Sequence, residues 1–76
     1  MEMKTAVLIL EVLEDVIPNL VIGEHSRFSL INPSVLDFQL MKVKIFKRIG
    51  VSIHESWIQR NTTVTDLAAI INVKRG

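Results

Sequence analysis

The chain has 76 residues, enough to enclose one hydrophobic core but not two, so a single domain spanning 1–76 is expected. Hydrophobic residues make up 49% and cysteine is absent, which excludes disulfides and thiolate metal sites and leaves apolar packing to hold the fold. Nine lysines and arginines against eight acids give a net charge of +1, which excludes a uniform field drawing the chain to nucleic acid or anionic lipid.

The opening Met1-Glu2-Met3-Lys4 carries an acid and no cleavage signal follows. The apolar run from Ala6 to Leu13 is interrupted by Glu11 and is too short to span a bilayer. A soluble, cytoplasmic protein with no membrane partner is the expectation. From Thr5 to Val16 the apolar residues follow a helical pattern, and Glu11, Glu14 and Asp15 supply a polar side. Pro18 disfavours helical geometry in the residue before it, so the helix should end near Val16 or Ile17.

A loop is expected from Pro18 to about Pro33. Leu20, Val21, Ile22, Phe28, Leu30 and Ile31 within it require that parts of it pack on the core. Ser34 can cap a second helix from Val35 to Ile49, which Gly50 closes, with Lys47 and Arg48 complementing the negative end of its dipole. At about 100° per residue, Phe38, Met41, Ile45 and Ile49 share one face. Leu36, Leu40 and Val43 fall on the nearly opposite face, either as a docking surface or as core covered by the first helix or the loop. Glu55 to Arg60 should form a short helical turn, with Trp57 as a core or boundary anchor. Thr63 with Asp66 reads as a capping box for a last helix from Val64 to Ile71, followed by a solvated tail, Val73-Lys74-Arg75-Gly76. The fold class is therefore all-α, a small bundle of three main helices plus one short one.

The chemistry is sparse. His25 and His54 lack the i, i+4 spacing of a helical metal motif, so no metal site is expected. His54 and Glu55 are adjacent and point apart on one turn, without a nucleophile beside them, so no enzymatic activity is expected. Lys42, Lys44, Lys47 and Arg48 read as a solvated helix face, since no nucleic-acid motif accompanies them and Phe46 is the only aromatic interleaved with them.

The segment Phe28-Ser29-Leu30-Ile31-Asn32-Pro33-Ser34-Val35-Leu36 resembles, without a gap, the F-x-x-L-G-x-D-S-L motif of acyl and peptidyl carrier domains. Ile49-Gly50-Val51-Ser52-Ile53 is similar to the family's F-G-I-E-I, and Thr62-Thr63-Val64 to its T-T-V, in the same register. The similarity covers roughly Phe28 to Asn72. It implies an acyl-carrier-like bundle in fatty-acid, polyketide or related biosynthesis, docking to partner enzymes such as a ketosynthase or acyltransferase through Leu36, Leu40, Val43 and Lys47. In this register Val35 stands where the family has the serine that bears 4'-phosphopantetheine, and valine has no nucleophile to modify. No cofactor is then expected. A slip of one residue would instead bring Ser34 to the attachment position and make the chain a working carrier. The family's second helix is acidic, whereas here it is basic, which disfavours the usual basic partners and suits one with an acidic surface. A third reading buries Leu36, Leu40 and Val43 against a second copy as a homodimer.

Overall fold

A computed structural model of the chain describes residues 2–75. Four α-helices are present among them: α1 (Glu2–Val16), α2 (Phe28–Ile31), α3 (Val35–Ile49) and α4 (Val64–Arg75), with a 3-10 turn at Glu55–Trp57. The fold is a small all-α bundle. No helix among the described residues is long and apolar enough to cross a membrane.

Helix α1 starts at Glu2, three residues before the expected Thr5, because nothing between them interrupts a helix. Its last backbone bond runs from the Ile17 N–H to the Leu13 carbonyl at 2.8 Å, just ahead of Pro18, which has no N–H to continue the ladder. Ala6, Ile9, Val12 and Leu13 form its buried side. Thr5 is buried with them, and its hydroxyl donates to the Asn72 Oδ1 at 2.7 Å, so the polar atom is satisfied where α1 crosses α4.

The segment expected to be loop throughout contains α2. Its left-handed end at Asn32 (φ 46°) donates its N–H to the Phe28 carbonyl at 2.8 Å, and the four-residue helix delivers Phe28 and Ile31 into the core. Four residues carry too little periodicity to announce a helix in sequence. The loop is fastened to the start of α4. The Val64 and Thr65 amides donate to the Ser26 and Glu24 carbonyls at 3.2 and 2.9 Å, while the Phe28 amide donates to the Thr62 carbonyl at 2.9 Å. Two of the amides that a helix start leaves without partners are thereby satisfied by the loop. The capping box supplies a third: Asp66 N–H donates to Thr63 Oγ1 at 3.1 Å, and Thr63 N–H to Asp66 Oδ2 at 3.0 Å.

Helix α3 has the expected limits, Val35 to Ile49. It ends on Gly50 in the left-handed region (φ 72°), whose N–H donates to the Phe46 carbonyl at 2.8 Å. Phe38, Met41 and Ile45 are buried, and Ile49 is partly buried against them. Helix α4 runs on to Arg75, so Val73, Lys74 and Arg75 are helical rather than a tail; Gly76 lies outside the described residues. Lys74 and Arg75 favour that extension, since they sit in its last turn at the negative end of the dipole. The short helical turn expected over Glu55 to Arg60 is confined to Glu55–Trp57, because Ile58 is already extended (φ −113°, ψ 113°).

Helix α1 packs against both α3 and α4. The core is one cluster: the α1 residues above, Phe28 and Ile31 of α2, Phe38, Met41 and Ile45 of α3, Ile53, and Val64, Leu67, Ala68 and Ile71 of α4. Each large side chain fully buried here contributes about 1.5–3 kcal/mol of transfer free energy against ordering costs.

Candidate functional site

The core face of α3 leaves the rest of that helix outward, and two features meet there. The first is its N-terminus. Ser34 is the N-cap, outside the helix, and its Oγ accepts from the Asp37 N–H at 3.0 Å while Asp37 Oδ2 accepts from the Ser34 N–H at 3.1 Å. Val35 is the first helical residue and is 79% exposed. Beside them lies a depression of about 190 Å³ lined by Pro33, Ser34, Val35, Phe38, Glu55 and Ile58. The hydroxyl at this end of α3 is therefore engaged as a cap, and the adjoining position presents only an alkyl group.

The second feature is an apolar stripe. Leu36, Leu40 and Val43 are 66%, 41% and 50% exposed, and neither α1 nor the loop covers them. Lys47, four residues beyond Val43 on the same line, is also exposed. The structure thus brings together Leu36, Leu40, Val43 and Lys47 on one surface, with Val35 and Ser34 at its end. Phe46, 54% exposed, widens the face. It is the aromatic interleaved with the basic residues in sequence, and its i+3 spacing from Val43 places it beside the stripe.

The charges of α3 are not equivalent. Lys44 Nζ lies 2.7 Å from Asp15 Oδ2, and Arg48 Nη2 lies 3.0 Å from Glu11 Oε1, so both reach across to α1. The hydrogen bond from Lys44, and then its charge, hold the Asp15 carboxyl below its ordinary 3.8. Lys42 and Lys47 make no ion pair among the described residues.

The remaining aromatic group is structural in its contacts. Trp57 is half-buried, takes the His54 ring edge-on at 5.3 Å between centroids, and carries Lys74 Nζ 5.6 Å from its ring centre. It closes the bundle at the boundary between the 3-10 turn and α4. His54 faces Trp57, not a reaction partner.

No family model, curated protein or solved structure matches the chain.

Proposed function

We propose that the chain is an acyl-carrier-like binding module, without enzymatic activity of its own, that works in the cytoplasm of a fatty-acid, polyketide or related biosynthetic pathway. It carries no phosphopantetheine arm. It docks through Leu36, Leu40, Val43 and Lys47 onto a partner enzyme such as a ketosynthase or acyltransferase, and it binds neither nucleic acid nor membrane. The observation that carries this reading is the uncovered apolar stripe on α3, opposite a core face that already suffices to hold the helix in the bundle. Large apolar side chains aligned on a solvent face favour a protein contact. The family assignment rests on the gapless motif from Phe28 to Leu36. Absence of the arm rests on Val35 at the first helical position. Commitment of Lys44 and Arg48 to carboxylates of α1 leaves α3 only Lys42 and Lys47, too few on that helix to track a phosphate backbone.

Intact-mass spectrometry after incubation with coenzyme A and a broad-specificity phosphopantetheinyl transferase tests the first half. The native chain should stay unmodified and Val35→Ser should gain one arm. An arm on the native chain that Ser34→Ala removes would make the protein an active carrier modified on Ser34, a reading favoured by the exposure of Ser34 beside the depression. Sedimentation tests the second half. Native protein and Leu40→Asp should both run as folded monomers, whereas a native dimer split by Leu40→Asp would assign the stripe to a second copy.

A further inference from the structure

We infer that the surface receiving α3 is a protein cleft with an apolar floor and a carboxylate rim, addressed by Lys42 and Lys47, while Lys44 and Arg48 serve the protein's own fold. The inference rests on the docking reading above and divides one basic cluster into two functions. On a helix wheel the exposed face runs for about 160°, from Lys42 through Val35, Phe46, Val43 and Leu36 to Lys47 and Leu40. Lys42 is one turn from Phe46 and Lys47 one turn from Val43, so each apolar edge has a cation beside it. Lys42 is half-buried and Lys47 exposed, and a lysine beside apolar side chains can cover them with its aliphatic stem while its ammonium stays in water. Lys44 and Arg48 occupy the other flank, where Asp15 and Glu11 hold them.

The balance of charge then selects the occupant. The sole carboxylate of α3, Asp37, is taken up in the cap, and Glu55 borders only the N-terminal depression. Glu11 and Asp15 border a shallow depression with Lys47 but are already paired with Arg48 and Lys44, so the C-terminal half of the face keeps a net positive charge, which steers acidic partners and repels basic ones. The area argues the same way. A stable interface takes about 800 Å² from each partner, roughly a sixth of the 5019 Å² that this chain exposes. Five partly exposed side chains fall short of that, so a pairing of two copies through this face alone would be weak, and a partner needs charge as well as apolar contact.

Two synthetic amphipathic helical peptides with the same leucine face, one rimmed with glutamate and the other with lysine, are titrated into the labelled full chain and followed by amide NMR. The glutamate peptide should shift residues from Leu36 to Lys47, with affinity falling about tenfold between low salt and ~300 mM NaCl. The double variant Lys42→Glu/Lys47→Glu should reverse the preference between peptides, and Lys44→Gln/Arg48→Gln should bind the glutamate peptide within about twofold of native. Equal binding of both peptides would overturn the charge assignment and leave the docking reading standing. Failure of both peptides to shift α3, or shifts on α3 produced only by phosphatidylglycerol vesicles, would overturn both.

Discussion

Ser34→Ala isolates the cap that sets where α3 begins and so where Val35 and Leu36 point. The substitution removes the acceptor for the Asp37 N–H, at 3.0 Å in the native protein, and leaves the reciprocal bond from the residue-34 amide to Asp37 Oδ2 available. Both bonds are exposed, so the freed amide regains water and no burial penalty is added. The cost is that of losing an N-cap side chain, about 1 kcal/mol. For a domain of this length that lowers Tm by about 4–8 °C. Urea titration followed by helical circular dichroism should show a lower midpoint at unchanged slope. Ser34→Asn keeps an acceptor at the same place and should recover most of the loss. A loss from Ser34→Ala of only a few tenths of a kcal/mol, or an equal loss from Ser34→Asn, would refute the assignment of the α3 start to this cap.

Ile45→Ala removes a fully buried side chain from the middle of the core and should cost about 2–5 kcal/mol, enough to leave the chain partly unfolded in the same urea assay. At Gly50 a methyl group would meet nothing within 4 Å, so Gly50→Ala reports the left-handed backbone (φ 72°) alone; it should cost about 1 kcal/mol, and a neutral result would argue against that geometry. The Asp15 carboxyl titrates below 3.8 because of Lys44, so its stabilisation is present above that value and is lost as pH falls through the lower folded value. Carboxyl NMR titration should return Asp15 to its ordinary value in Lys44→Met, and an unchanged titration would refute the pairing.

The sequence by itself determined α3 from Ser34 to Gly50, because a capping serine, a two-faced apolar period and a terminal glycine are local signals that agree. It determined the Thr63–Asp66 box for the same reason. It also displayed Leu36, Leu40, Val43 and Lys47 on one line, but it left open whether that line was covered. Only the tertiary structure decided the point, since exposure depends on where α1 lands, and α1 packs against α4 and one flank of α3. The same holds for α2, whose Phe28 and Ser29 amides donate to the Thr62 and Arg60 carbonyls across more than thirty positions of chain. The division of the cations is tertiary as well: Lys44 and Lys47 are alike in sequence and differ only because Asp15 on another helix stands 2.7 Å from one of them. Periodicity and caps are written in neighbouring residues, whereas burial and pairing are properties of what another segment brings alongside.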